Sequence, residues 1–126
     1  MCGIAGAFSF SSNSLVGVEK VKLMTDSIAH RGPDGEGVWQ SANSQLVLGH
    51  RRLAIIDLSD LSNQPMIDLS GKYVIVFNGE IYNFCELKEQ LVSLGCDFFS
   101  HSDTEVLLNL YIRFGESCLQ MLDGMF

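Results

Sequence analysis

Three features of the sequence predict an α+β layered fold: an apolar, glycine-containing run at residues 2–10, an aromatic and β-branched run at residues 73–77, and helix-spaced apolar residues in three later or intervening stretches. The chain has 126 residues, a length that fits one domain spanning 1–126. Hydrophobic residues make up 47% and charged residues 18%, enough for a packed core.

Residues 2–10 (CGIAGAFSF) read as a buried strand and residues 11–14 as a polar turn. Val18, Val21, Met24 and Ile28 fall at helical spacing within 16–28. Residues 30–37 (HRGPDGEG) hold three glycines and a proline and read as a loop. A strand is expected at 45–48, followed by a Gly49-His50-Arg51-Arg52 crossing into the apolar run 53–58. Residues 73–77 (YVIVF) carry strand-forming side chains throughout and run straight into Asn78-Gly79-Glu80. Asn83 and Glu86 suggest a helix start, with Gly95 as its stop. Residues 102–105 (SDTE) have the spacing of a capping box before an amphipathic helix to Phe114. A short helix near 118–122 follows, and Met125-Phe126 read as the opening of another strand.

Charge narrows the partners. The net charge is −7 with eight Lys and Arg, which argues against nucleic acid and against an anionic membrane surface. No apolar run reaches the roughly 20 residues of a membrane-spanning helix, and no basic leader precedes the first apolar stretch, so a cytoplasmic location is expected. Cys2, Cys85, Cys96 and Cys118 form no C-x-x-C pair, and the three histidines show no metal spacing beside them. No metal is expected. Cys85, Cys96 and Cys118 read as buried thiols.

Cys2 differs, because removal of Met1 would place a thiol and a free α-amine on one residue. An α-amine has a pKa of about 7.7 to 8.0 and is partly unprotonated at neutral pH. It can accept the thiol proton directly or through one water, so one residue supplies nucleophile and base. A core thiol on an N-terminal strand is the competing reading. Asn78-Gly79 is either a hairpin turn or a pair of donors, one side-chain amide and one backbone N–H, for a developing oxyanion. Arg52 is either a surface residue at a strand start or a bidentate carboxylate partner. Asp103 either meets a substrate ammonium or favours the first turn of its helix. The loop around Arg31, Pro33 and Asp34 most simply serves a tight turn.

Taken together, MCGIAG, HRGPDG, GHRRLAIIDLS, NQPM, FNGEIYN, SDTEVLLNLY and the closing LDGMF resemble the class II glutamine amidotransferase domain of asparagine synthetases, an N-terminal-nucleophile hydrolase. The resemblance covers residues 2 to 126. It implies a four-layer α/β/β/α sandwich, incomplete here because the family's further strands and its synthetase domain do not follow. It also implies roles. Cys2 attacks the glutamine side-chain amide and forms a thioester. Asn78 and Gly79 bind the oxyanion. Arg52 pairs with the α-carboxylate, Asp103 and Glu80 meet the α-ammonium, and Leu53 and Ile55 line the pocket. Ammonia would pass to an ATP-using synthetase domain; ATP and magnesium belong there, and no cofactor is expected on this chain. Exposed sheet edges would invite a homo-oligomer. Two other readings stand beside a glutaminase: a truncated, non-catalytic domain that at most binds glutamine or a partner, and an amidase with another substrate. A retained Met1 favours the first of these; turnover of simple amides favours the second.

Overall fold

A computed structural model describes residues 1–11 and 13–126; Ser12, in the predicted turn 11–14, lies outside them. The described residues mix helices and strands and group into two compact units, each taken by itself below. Unit 1 holds Met1–Ala54, Asn63–Pro65 and Val76–Asn78; unit 2 holds Ile55–Ser62, Met66–Ile75 and Gly79–Phe126.

Unit 1 is built on an antiparallel sheet of β1 (Gly3–Phe8), β2 (Gly35–Gln40) and β3 (Leu46–Arg52), in the order β1-β3-β2. Gly3 faces Arg51 and Gly35 faces Arg52, so the register fixes two faces. One carries Gly3, Ala5, Val47, Gly49 and Arg51; the other carries Ile4, His50 and Arg52. Helix α1 (Val18–Ser27) covers the first face and buries Val21 and Thr25. The approach is close enough to demand glycine. A Cβ on Gly49 would lie 2.5 Å from Thr25 Cγ2, and one on Gly3 would lie 2.8 Å from Ile28 Cδ1. Of the apolar positions predicted for this helix, Val21 is inward, while Met24 is 44% exposed. Arg51 ties sheet to helix: its Nε donates to the Thr25 carbonyl at 3.2 Å, and its guanidinium pairs with Asp26 and Glu36.

Several sequence expectations change here. Strand β1 is not buried on both faces: Ile4 and Phe8 are 50% and 55% exposed. The Gly49–Arg52 crossing is instead the second half of β3, and β2 begins inside the predicted glycine-rich loop. Glycine at 35 and 37 signals close backbone approach rather than a break. A Cβ on Gly37 would sit 2.2 Å from the Gln64 carbonyl oxygen.

Unit 2 contains two short antiparallel pairs, β4 (Met66–Ile67) with β5 (Val74–Ile75) and β6 (Glu80–Ile81) with β7 (Gly124–Met125). It also holds helices α2 (Phe84–Ser93) and α3 (Asp103–Phe114), and a 3-10 segment over Gly115–Met121. Leu87 and Leu91 of α2, with Val106, Leu108 and Leu110 of α3, Ile81 and Cys118, are buried. Full burial of each large aliphatic side chain contributes about 1.5–3 kcal/mol. Helix α2 ends in a Schellman arrangement: Gly95 takes φ +84, its N–H reaches Val92, and the Cys96 N–H reaches Leu91.

The caps differ from expectation. Asn83 makes no side-chain cap; its amide donates to the Met121 carbonyl at 3.0 Å and accepts the Asp123 N–H at 3.0 Å, pinning β7's approach. Ser102 does cap α3, accepting the Thr104 N–H at 3.1 Å. Glu105 bypasses the Ser102 N–H and accepts the Phe99 and Ser100 N–H groups at 2.9 and 2.7 Å. The strand expected over 73–77 is shorter, because Phe77 bonds to side chains rather than to a ladder. The closing strand appears as expected, in β7. Of the three thiols read as buried, only Cys118 is; Cys96 is half-buried and Cys85 exposed. Burial pushes the Cys118 thiol up.

Candidate active site

The nucleophile candidate lies just ahead of β1, beside the end of β3. Alternation along β1 places Cys2 on the face opposite Gly3, the face of His50 and Arg52. Its Sγ accepts the Leu53 N–H at 3.3 Å and lies 3.7 Å from the Leu53 carbonyl. Arg31 Nε donates to the Cys2 carbonyl at 3.0 Å, while the Asp34 carboxylate accepts the Ala54 N–H at 2.9 Å. Between them, Gly32 presses on β3 so closely that a Cβ would sit 2.5 Å from the Arg51 carbonyl oxygen. The HRGPDG segment is therefore more than a turn. It clamps the backbone on both sides of the thiol, and β3 ends at Arg52 because Cys2 and Asp34 take the next two N–H groups.

Arg52 is 8% exposed and sits at the end of its strand, which removes the surface-arginine reading. Its Nη1 donates to Asn63 Oδ1 at 2.9 Å. His50, two residues earlier on the same face, is wholly buried, and its Nε2 lies 3.2 Å from the Phe77 carbonyl. Burial pushes its pKa down to about 4; the Phe77 carbonyl opposes that and the Arg52 charge adds to it. The ring is thus neutral at neutral pH, with Nε2–H donating to the carbonyl. The Phe77 N–H in turn goes to Gln64 Oε1 at 2.5 Å. Next along the chain is Asn78, whose Oδ1 is buried without a hydrogen-bond partner.

The depressed pKa of His50 has a consequence for stability. As pH falls below the unfolded value of 6.5, the unfolded chain binds a proton that the folded chain refuses until about pH 4. The contribution is complete above pH 6.5 and lost between 6.5 and 4, on the order of 3 kcal/mol. Denaturant titrations across this window are expected to show that loss, and a His50→Gln variant is expected to flatten it.

In unit 2, Asp103 is 7% exposed and opens α3. Its Oδ2 accepts the Ile81 N–H at 3.0 Å, and the Thr104 hydroxyl approaches Oδ1 at 3.4 Å. This joins Asp103 to the strand that begins at Glu80. Asn78-Gly79 is not a hairpin turn, since β5 and β6 pair with different partners. Ile55 is 61% exposed, in a stretch organised by Asp57. The Asp57 carboxylate accepts the Ser59 and His101 N–H groups at 2.8 and 2.9 Å. Hydrogen bonds from Ser62 and Ser59, then from the His101 N–H, hold it well below the usual carboxylate range.

The sequence reading gave Arg31 and Asp34 only to a tight turn and singled out none of His50, Asn63 and Gln64, which the structure bonds to Phe77, Arg52 and Phe77 in turn. The signal available for Asn63 and Gln64 was a pair of side-chain amides directly before a proline, in a segment with no helix or strand pattern. Among the described residues, no cluster of three His, Cys, Asp or Glu could hold a metal, and no helix is long and apolar enough to cross a membrane.

The family profile described as a glutamine amidotransferase domain matches residues 1–126. The chain belongs to that family. Among curated relatives, it is 41% identical to asparagine synthetase [glutamine-hydrolyzing] 1 of Bacillus subtilis, with all of this chain and 20% of the relative covered. It is 38% identical to a probable asparagine synthetase [glutamine-hydrolyzing] of Schizosaccharomyces pombe, over all of this chain and 22% of the relative. It is also 41% identical to amidase chry2 of Gibberella zeae, over all of this chain and 20% of the relative. The chain spans about a fifth of the length of these relatives.

Proposed function

We propose that this domain hydrolyses glutamine to glutamate and ammonia through a thioester on Cys2, supplying ammonia in an asparagine synthetase-like protein. The observation that carries this reading is the thiol itself. Cys2 Sγ is held by the Leu53 N–H, with its own carbonyl held by Arg31, at the one cysteine that loss of Met1 can make N-terminal. The α-amine takes the thiol proton, directly or through a water. The thiolate then attacks the side-chain amide carbon, and the oxyanion is met by the Asn78 amide and the Gly79 N–H. Ammonia departs with the returned proton, and water cleaves the thioester to release glutamate. Arg52 pairs with the substrate α-carboxylate, Asp103 and Glu80 with its ammonium, and Leu53 and Ile55 line the pocket.

The finer architecture belongs to the same proposal. A helix on one face of a sheet, as in unit 1, is one α/β half of a four-layer α/β/β/α sandwich. On this reading the protein is cytoplasmic, ATP and magnesium serve a separate synthetase domain, and no cofactor binds this one. The outer strands β1 and β2 offer edges to a second copy; a strictly monomeric mass in solution contradicts that.

An assay of ammonia release tests the reaction: glutamine is turned over and simple amides lacking the α-amino acid group are not. Asp103→Asn is expected to raise KM for glutamine about 10-fold or more with a smaller change in kcat, since a charge partner of the ammonium is lost. A change in thermal stability alone would restrict Asp103 to its helix.

A further inference from the structure

We infer that His50 and Gln64 are positioning residues for the oxyanion donor, fixing the backbone of Phe77 so that Asn78 keeps its place relative to the strand that follows Cys2. The inference rests on the reading of Asn78 given above. Its geometry lies wholly within unit 1. Phe77 takes no part in a strand ladder, yet both of its backbone polar groups are held: the carbonyl by His50 Nε2 at 3.2 Å and the N–H by Gln64 Oε1 at 2.5 Å.

Both holders are themselves locked to the sheet that carries Cys2. His50 is fully buried in β3, two residues before Arg52 and opposite Ile4 in register. Gln64 is 8% exposed, and its carbonyl oxygen lies where a Cβ on Gly37 of β2 would be only 2.2 Å away. A side chain from β3 and one from the loop packed against β2 thus hold the carbonyl and the N–H of the residue immediately before Asn78. The other ring nitrogen of His50, Nδ1, is buried without a partner, so the Phe77 carbonyl is the hydrogen bond this histidine makes. A buried histidine spending its bond on one carbonyl, next to an asparagine whose own oxygen is orphaned, is costly as core packing and sensible as alignment.

The test compares two pairs of variants in the full-length protein, with Asn78→Ala as reference. His50→Leu removes the donor at similar size, and His50→Gln offers a side-chain N–H to the same carbonyl. Gln64→Met removes the acceptor for the Phe77 N–H, and Gln64→Glu retains one. His50→Leu and Gln64→Met are expected to lower kcat for glutamine hydrolysis about 10- to 100-fold with KM little changed. His50→Gln and Gln64→Glu are expected to restore most of that. If His50→Leu does not fold, the Gln64 pair decides. Folded variants of either pair with wild-type kcat, while Asn78→Ala is impaired, overturn the inference and leave the oxyanion reading standing. An unimpaired Asn78→Ala overturns both.

Discussion

Cys2→Ala is expected to abolish glutamine hydrolysis, lowering the rate by at least about 10³-fold, while leaving glutamine binding largely intact. Of the four cysteines, Cys2 alone can become N-terminal and carry an α-amine beside its thiol, and Cys118 is buried. The fold is expected to tolerate the change. The lost contacts are two weak ones, the Leu53 N–H to sulfur and the thiol to the Leu53 carbonyl, together on the order of 1–2 kcal/mol, and the Arg31 bond is to the Cys2 backbone. Rate and stability should therefore separate. Ammonia release measured beside thermal unfolding checks this, and appreciable turnover in the folded variant ends the nucleophile assignment.

Asn78→Ala is expected to cost about 10²–10³ in kcat with KM little changed, the usual loss when one oxyanion donor is removed. Here too the effect on stability should be small, for a specific reason. The Asn78 Oδ1 is buried with no hydrogen-bond partner, so replacing the amide by a methyl removes an unsatisfied polar atom instead of breaking a bond. A structural asparagine behaves in the opposite way, losing stability and keeping kcat. Steady-state kinetics with a denaturant midpoint for the same preparation distinguishes the two.

The sequence made the family and the mixed α/β character legible, because both rest on local patterns: gapless motifs, apolar spacing and strand-forming runs. It also placed Cys2, Arg52, Asn78 and Asp103 among the residues to watch. Strand limits were less legible, for a physical reason that recurs. β3 stops at Arg52 because the next two N–H groups go to the Cys2 thiol and the Asp34 carboxylate, and Phe77 leaves its predicted strand for His50 and Gln64. Side chains distant in sequence took over backbone partners, which no propensity of the strand residues foretells. Glycines misled similarly. Gly35, Gly37 and Gly49 looked like breakers but serve close packing within a continuous sheet. His50, Asn63 and Gln64 have polar side chains whose hydrogen-bond partners appear only once the segments around them meet.

Intact mass of the protein before and after incubation with 6-diazo-5-oxo-norleucine, a glutamine-like electrophile, tests the central claim most directly. The account predicts a starting mass lacking Met1 and a single adduct that peptide mapping places on Cys2. A chain lacking Met1 that glutamine protects at no residue and that gains no adduct on Cys2 would contradict it.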